Sequence, residues 1–524
     1  MTYCHHCNSP QKTHSKSELS PTLVSLRLTC GHTKILGPLK QDSDIDTFLD
    51  SFVSKDIKKH SLFKYQKDDV HKASKAFGRL LYRYEVGLGK TPESLATVDC
   101  FSIHPALILT KPTLVHQWLK EIFRWTGKIG FIIKSPKDLG NGFLHMFPYL
   151  IMSLDLCRQL DETQLLDFPV RTVIIDECQH IKNLESARTK AIRRICRYKD
   201  YVIGLSATPI KNRFDEYFPI LNILRPDLFP AYNKFVDDWC EHYETAYATK
   251  VGACSDPKGF EDFTKGFIVH RTKDEVLPDL PKTRRNFRYF DLEAKVKKAY
   301  EKLLEEFTDY YETTSDKGFE LYQNLLAYFA KMRHLTGLAK VDNCISEAEE
   351  FLLSCNRKLT IGIHHKLVGD MIQHRLNETL RAGGFNECLY LHSELGSAER
   401  ASLIEKFRQE ENRILLASTL AAGEGLNLQF CSDAILVERQ WNPANEEQFE
   451  GRFSRIGQEA ESIDITYLIA LGTIDEWLTE LIEAKREIVK TAYGEESALA
   501  ENTIVLELAD KIMSQRAGKK WKAM

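Results

Sequence analysis

Two short runs in this chain could do chemistry together. Glu85-Val86-Gly87-Leu88-Gly89-Lys90-Thr91 is a glycine-rich loop ending in a lysine and a hydroxyl. Asp176-Glu177-Cys178-Gln179-His180 places two carboxylates directly after the apolar run Val173-Ile174-Ile175. Glycines let a backbone approach phosphates and turn its N–H groups inward. A helix starting at the end of such a loop adds the partial positive charge of its N-terminus. Gly87, Leu88, Gly89, Lys90 and Thr91 are therefore the expected cradle. Lys90 would reach the outer phosphates as a point charge, and the Thr91 hydroxyl would sit on Mg²⁺. Asp176, at the carboxyl end of an expected buried strand, would hold the same Mg²⁺ through water. Glu177 would polarise the attacking water. The chemistry implied is hydrolysis of a nucleoside triphosphate. One position departs from the full Gly-x-x-x-x-Gly-Lys-Ser/Thr spacing, because Tyr84 stands where its first glycine belongs.

The elements that must position these residues follow from short apolar runs separated by turns and helical patterns. Ala106-Leu107-Ile108-Leu109, Val173-Ile174-Ile175 and Tyr201-Val202-Ile203 recur in the first half. Leu359-Thr360-Ile361, Ile414-Leu415-Leu416 and Ala434-Ile435-Leu436-Val437 recur in the second. Runs of this kind suit strands buried on both faces of a parallel sheet with helical crossovers. Two series imply an α/β fold with two doubly wound parallel-sheet lobes. Lobe one is expected over 55–280 and lobe two over 346–495. Between them, 281–345 reads as linker and helical protrusion, entered through Leu277-Pro278-Asp279-Leu280-Pro281. Leu292, Val296, Tyr300, Leu303, Leu304 and Phe307 recur there at helical spacing behind Asp291. Residues 496–524 read as a helical tail ending in Lys519-Lys520-Trp521-Lys522.

Bulk properties narrow the class. Hydrophobic content of 43% and charged content of 28% match a soluble globular protein. A net charge of −3 means that any nucleic-acid contact must rest on locally gathered cations. No apolar run reaches the roughly 20 residues needed to span a bilayer, and Met1-Thr2-Tyr3-Cys4-His5-His6 lacks a signal-peptide pattern. Most of the 13 cysteines are scattered through expected core segments, as reduced intracellular cysteines would be. The exception is N-terminal. Cys4-x-x-Cys7 followed by Cys30-Gly31-His32 fits a four-coordinate structural Zn²⁺ site in a small ribbon-like module over 1–45, with His5 and His6 as competing ligands. Such a module could contact DNA, dock a protein partner or simply hold itself together.

A second cluster lies in lobe two. Gln448-Phe449-Glu450-Gly451-Arg452-Phe453-Ser454-Arg455 carries two arginines three residues apart, which on a helix would share a face. Guanidinium groups stabilise the charge that builds on a transferring phosphoryl group. The expectation is that Arg452 and Arg455 complete the site when the lobes close, so that hydrolysis is coupled to movement.

Taken together these motifs resemble the Swi/Snf-type ATPases, the superfamily-two branch of DNA translocases related to helicases. The resemblance runs from about residue 60 to 490. Leu62-Phe63-Lys64-Tyr65-Gln66 resembles the motif whose glutamine reads adenine. Thr110-Lys111-Pro112-Thr113-Leu114-Val115-His116-Gln117-Trp118 resembles the segment that leans on the nucleic-acid backbone, which implies roles there for Lys111, Gln117 and Trp118. Leu205-Ser206-Ala207-Thr208-Pro209 resembles the motif linking hydrolysis to DNA, through Ser206 and Thr208. Arg271-Thr272-Lys273-Asp274-Glu275-Val276-Leu277-Pro278 is similar to the family's inter-lobe signature. Ser418-Thr419-Leu420-Ala421-Ala422-Gly423-Glu424-Gly425-Leu426-Asn427-Leu428 and Trp441-Asn442-Pro443 complete lobe two, and Gly425 and Gln448 are carried over as nucleotide-side residues. His364-His365-Lys366-Leu367-Val368 resembles the fork-remodelling, strand-annealing members. Tyr84 replaces the family's usual Asp, Cys178 its Ala and Ser454 its His. None of the three removes a phosphate ligand, so a divergent but active branch is implied.

The resemblance implies two RecA-like lobes, ATP and Mg²⁺ as cofactors, and double-stranded DNA as a partner tracked without sequence preference, because phosphate contacts carry little sequence information. A strand-separating DNA or RNA helicase would share the ATP site. A nucleotide-switched binding module is the reading of another class, and the intact Lys90, Asp176, Glu177, Arg452 and Arg455 argue against it. The compartment would be the cytoplasm for a prokaryotic or viral chain and the nucleus for a eukaryotic one.

Overall fold

The structure is a computed structural model. It describes the chain except residues 1, 5–8, 12, 21–22, 29–32, 37–41, 58, 77, 167, 211–212, 246–247, 315–317, 410–411, 420–425, 442, 492–500 and 517–524. The chain divides into two units, Met1–Pro278 and Asp279–Met524.

The first unit is built on seven parallel strands: β1 Arg79–Tyr84, β2 Ala106–Thr110, β3 Gly130–Ile133, β4 Tyr149–Ser153, β5 Thr172–Asp176, β6 Tyr201–Ser206 and β7 Ile268–Arg271. Their spatial order is β7-β1-β6-β5-β2-β4-β3. The strands ending in Tyr84 and Asp176 flank β6, so the carboxyl ends of β1 and β5 lie one strand apart. Leu80, Leu81, Tyr82, Val173, Ile174, Val202 and Ile203 are fully buried, as strands covered on both faces require. Helices α1 Lys64–Lys75, α2 Lys90–Cys100, α3 Val115–Thr126 and α4 Ala187–Cys196 belong to this unit. Helix α3 shows how sequence period becomes position, since Val115, Trp118, Ile122 and Trp125 form its buried face.

The second unit has six parallel strands: β8 Lys282–Phe290, β9 Leu359–Ile363, β10 Leu389–Leu391, β11 Ile414–Ser418, β12 Asp433–Leu436 and β13 Ser462–Ala470. They run in the order β8-β13-β12-β9-β11-β10. Residues 282–290, expected within the linker, instead pair with β13 from Lys282↔Ser462 to Phe290↔Ala470. Their four cations hid the strand from a reading based on apolar runs, yet charge is what an unpaired sheet edge tolerates.

Helices α5 Ala294–Thr313 and α6 Gly318–Ala339 confirm the helical stretch after Asp291. They share one apolar core with two later helices, α8 Ile474–Thr491 and α9 Glu501–Arg516, the latter pair following α7 Pro443–Glu450. Phe307, Phe329, Leu481, Leu508 and Ile512 are all buried in that core. Of the segment expected as a helical tail, Glu501–Arg516 is thus packed against the expected protrusion.

In the N-terminal stretch the described backbone forms one antiparallel pair, Thr2–Cys4 with Ser9–Gln11, and a three-stranded sheet from Thr13–Ser20, Leu23–Leu28 and Thr33–Leu36. The expected Zn²⁺ ligands Cys7, Cys30 and His32, and the Cys4 side chain, lie outside the described residues. Among the described residues no helix is long and apolar enough to cross a membrane.

Candidate active site

The phosphate loop joins β1 to α2. Gly87 at φ 98° and Gly89 at φ 74° take the left-handed conformation that only glycine adopts without strain. The loop carbonyls are gathered from below by α1. Tyr65 Oη donates to the Leu88 carbonyl at 2.7 Å, and Gln66 Nε2 lies 3.2 Å and 3.1 Å from the carbonyls of Leu88 and Gly89. Gln66 Oε1 accepts from the Phe63 amide at 2.9 Å. The Gln66 amide therefore holds the loop through Nε2 and the start of α1 through Oε1. With its carbonyls drawn away, the loop leaves the first turn of α2 facing outward without a side-chain cap, and such a helix start is suited to an anion. Pro92 sits in that first turn, where a missing N–H costs no hydrogen bond. Lys90 Nζ rests on the carbonyls of Tyr84 at 2.8 Å and Glu85 at 3.4 Å.

Tyr84, the departure from the loop pattern, points into the interior and is fully buried. Its hydroxyl lies 2.6 Å from Asp69 Oδ2 and 2.6 Å from Glu93 Oε1. Burial, reinforced by the nearby Asp69 charge, pushes the Glu93 carboxyl well above the usual range. A neutral Glu93 donates to Tyr84 while Tyr84 donates to Asp69, so one hydroxyl serves both carboxyl groups.

At the neighbouring strand end, Asp176 Oδ2 accepts two hydrogen bonds of 2.8 Å, from Thr110 Oγ1 and from Trp118 Nε1. Trp118 was expected beside nucleic acid. Its ring is instead 3% exposed and its indole steers Asp176, because it falls on the buried face of α3. Lys111 and Gln117 remain half-buried beside it. Loss of solvent and the adjacent Glu177 push the Asp176 carboxyl up to about 6, against the Trp118 and Thr110 hydrogen bonds and the Lys90 charge. A carboxyl raised by burial and an adjoining carboxylate in this way fits a hard cation. Among the described residues no cluster of three or more His, Cys, Asp or Glu could hold a metal. That donor set suits Mg²⁺, which takes one or two carboxylates together with phosphates and water.

Glu177 adopts φ 50° and ψ 54°, a left-handed conformation that costs a non-glycine residue free energy. Two residues on, Gln179 Nε2 donates to Glu177 Oε2, and Gln179 Oε1 accepts from Ser206 Oγ at 2.7 Å. Gln179 thus ties the candidate water-activating residue to the end of β6. Thr208, two residues on, is half-buried. Gln179 was part of the sequence motif but carried no assigned role. The signal was its place two residues after Glu177. Its partner Ser206 is distant in sequence, so only the fold reveals the link. Gln179 also lines a cavity of about 400 Å³ with His180, Lys182, Ser186, Arg158 and Arg188. Two of its cations share Asp155, at 3.3 Å from Arg158 and 2.5 Å from Arg188, and Lys182 pairs with Glu216 at 2.7 Å.

In the second unit the two arginines are not on a helix. Helix α7 ends at Glu450, and Gly451 begins a run of turns. The Gly451 amide still bonds the Glu447 carbonyl at 2.8 Å, but Arg452 and Phe453 turn to carbonyls three residues back, those of Phe449 and Glu450, so the helical repeat the arginines would have needed to share a face stops there. Arg452 is 6% exposed. Arg455 Nη1 donates to the Leu426 carbonyl at 3.2 Å and to Asn427 Oδ1. Gln448 is half-buried on α7, and Gly425 lies outside the described residues. Helix α7 is pinned by ion pairs that local reading missed. Arg285 on β8 holds Glu450 at 2.5 Å, and the buried Arg439 holds Glu446 at 2.7 Å. At the end of β9, Glu438 accepts the amides of His364 and His365 at 2.8 Å and 2.9 Å. Burial would raise the Glu438 carboxyl, but the His365 ring hydrogen bond and charge outweigh it and hold it at about 2.

Residues 53–337 match the SNF2-related domain, and residues 340–457 match the helicase conserved C-terminal domain. The chain belongs to the SNF2-related family, whose members are ATP-hydrolysing, helicase-like enzymes. It is 28% identical over 455 residues to the SWI/SNF-related matrix-associated actin-dependent regulator of chromatin subfamily A-like protein 1 of Xenopus laevis, covering 84% of this chain and 45% of that protein. It is 24% identical over 440 residues to the DNA annealing helicase and endonuclease ZRANB3 of Mus musculus, covering 82% and 40%. An uncharacterized ATP-dependent helicase, MG018 of Mycoplasma genitalium, is 26% identical over 464 residues, covering 83% and 43%. The chain spans about half the length of these curated relatives. The Sulfolobus solfataricus SWI2/SNF2 ATPase core, solved in complex with dsDNA, aligns with a TM-score of 0.39 at 20% identity, over 88% of this chain and 98% of that one.

Proposed function

We propose that this chain is a DNA-dependent ATPase that translocates on double-stranded DNA and remodels what is bound to it. ATP would lie on the Gly87–Thr91 loop, with Mg²⁺ held by Thr91 and Asp176. Bound Mg²⁺ would neutralise charge on the outer phosphates. Glu177 orients the attacking water, Thr110 and Trp118 aim Asp176, and Gln66 with Tyr65 holds the loop in its phosphate-ready shape. Arg452 and Arg455 serve as the charge-stabilising arginines.

The observation that carries this reading is the continuous hydrogen-bonded link from Ser206 through Gln179 to Glu177. It ties the candidate water-activating carboxylate to Ser206, in the segment that resembles the family's motif linking hydrolysis to DNA. The relatives named for DNA annealing and for chromatin regulation favour DNA over RNA. The test is ATP turnover alone and with duplex DNA, single-stranded DNA or RNA, at two salt concentrations. Strong stimulation by duplex DNA that weakens with salt is expected. Stimulation by single strands or RNA alone would overturn the duplex-translocase reading in favour of a helicase.

A further inference from the structure

The motif departure at Tyr84 lies at the centre of a buried network that the catalytic scheme does not use. Asp69 on α1, Tyr84 at the end of β1 and Glu93 on α2 are all fully buried. Arg271, at the end of β7, grips Asp69 with two hydrogen bonds of 2.8 Å and 2.6 Å. Strands β7 and β1 pair in register so that Arg271 faces Tyr84. The next residue of the phosphate loop continues the junction. Glu85 N donates to the Arg271 carbonyl at 3.1 Å, and the Lys273 amide donates to Glu85 Oε2 at 2.7 Å. Arg271 also reaches Glu275 at 2.8 Å, inside the short helix Lys273–Val276 capped by Thr272. The base of the phosphate loop is therefore fastened, side chain and backbone, to the segment through which the chain leaves the first unit at Pro278.

Lys90 gives this junction something to report. Its ammonium lies on the carbonyls of Tyr84 and Glu85, the two residues that hold the exit segment. A lysine that turns to a phosphate releases those carbonyls, and the Tyr84–Glu85 peptide loses a cation that helped fix it.

We propose that Tyr84 and Glu85 are coupling residues that, with Asp69 and Arg271, transmit the nucleotide state of the phosphate loop to residues 271–278, the segment leading into the second unit. They are positioning residues and touch no reacting atom. The proposal rests on the ATP-binding reading above. A neutral, proton-donating group at 93 is part of it, because one tyrosine hydroxyl cannot donate to two carboxylates. Glutamine at 93 would keep the network, and leucine would break it.

The test uses the full chain and the non-hydrolysable analogue adenosine 5′-(β,γ-imido)triphosphate with Mg²⁺. Nucleotide affinity and amide hydrogen exchange over residues 271–277 are measured together in the wild type, Tyr84→Phe, Glu85→Ala, Glu85→Gln, Glu93→Gln and Glu93→Leu. Nucleotide should change exchange at Lys273 in the wild type. Tyr84→Phe, Glu85→Ala and Glu93→Leu should still bind the analogue yet lose that response, and Glu85→Gln and Glu93→Gln should retain it. A merely structural role would shift exchange equally with and without nucleotide. Wild-type binding with no change over 271–277, or a full response in both Tyr84→Phe and Glu85→Ala, overturns the coupling. Failure of the wild type to bind the analogue would instead remove the ATPase reading beneath it. If Tyr84→Phe does not fold, Glu85→Ala carries the test, since its side chain accepts only at the exposed edge of the loop.

Discussion

The indole of Trp118 donates to Asp176 across 2.8 Å, binding a residue of the second crossover helix to the candidate Mg²⁺ carboxylate. The bond fixes one oxygen of Asp176 and leaves the other for metal. A hydrogen bond to a charged group contributes about 1.5–3 kcal/mol. Trp118→Phe keeps an aromatic ring in the pocket but removes the donor together with part of the buried ring volume, so thermal unfolding is followed alongside to account for packing. Turnover and apparent Mg²⁺ affinity should then fall by about tenfold or more, with DNA affinity little changed. Steady-state kinetics beside DNA binding by fluorescence anisotropy check this, and loss of DNA affinity alone would return Trp118 to the nucleic-acid side.

Gln179 joins Ser206 to Glu177, so breaking either bond should uncouple polymer from hydrolysis. Ser206→Ala should lower polymer-stimulated turnover more than turnover without polymer, and Gln179→Ala should do so more severely. The ratio of the two rates is the measurement, and equal loss in both would mean that the link only supports the fold.

Glu177→Gln should bind ATP with near-normal affinity and hydrolyse it by about 10²-fold or more slowly, the range expected for removing a general base. Rapid-quench turnover with a separate nucleotide-binding titration checks it. Wild-type turnover would remove Glu177 from its assigned role.

Asp176 titrates at about 6, above an ordinary aspartate, and Mg²⁺ binds the ionised form. The protonated fraction grows as pH falls through that value, so apparent Mg²⁺ affinity should be constant above it and drop by about tenfold per unit below it. The KM for Mg²⁺ followed across that pH range tests this. A flat profile would mean that the carboxyl is ionised well below 6.

Arg455 and Arg452 stand in different surroundings, the first held on Leu426 and Asn427 and the second nearly buried. Replacing either by Ala should lower turnover more than ATP affinity. Arg452→Ala should also lower the melting temperature, because it removes a nearly buried side chain, and by more than Arg455→Ala, which removes a half-buried one. Thermal unfolding of both variants separates the two effects.

Much of this protein was legible without coordinates. Val173-Ile174-Ile175, Tyr201-Val202-Ile203 and their counterparts in the second half read as buried parallel strands, and each is one, because burial on both faces leaves an uninterrupted apolar run. The phosphate loop was equally plain, since Gly87, Gly89, Lys90 and Thr91 answer to backbone conformation and charge at fixed spacing. Local pattern stopped where contacts became distant. Charge masked the edge strand Lys282–Phe290, and the helix on which Arg452 and Arg455 were expected stops at Glu450, where the chain passes into turns. The direction of Trp118 toward Asp176, the hold of Gln66 on the loop carbonyls, the bridge from Gln179 to Ser206 and the burial of Tyr84 between Asp69 and Glu93 all join residues from different elements. A side chain's own neighbours in sequence set its period and its face. Which atom it meets there depends on how the elements pack, and that was decided only by the tertiary structure.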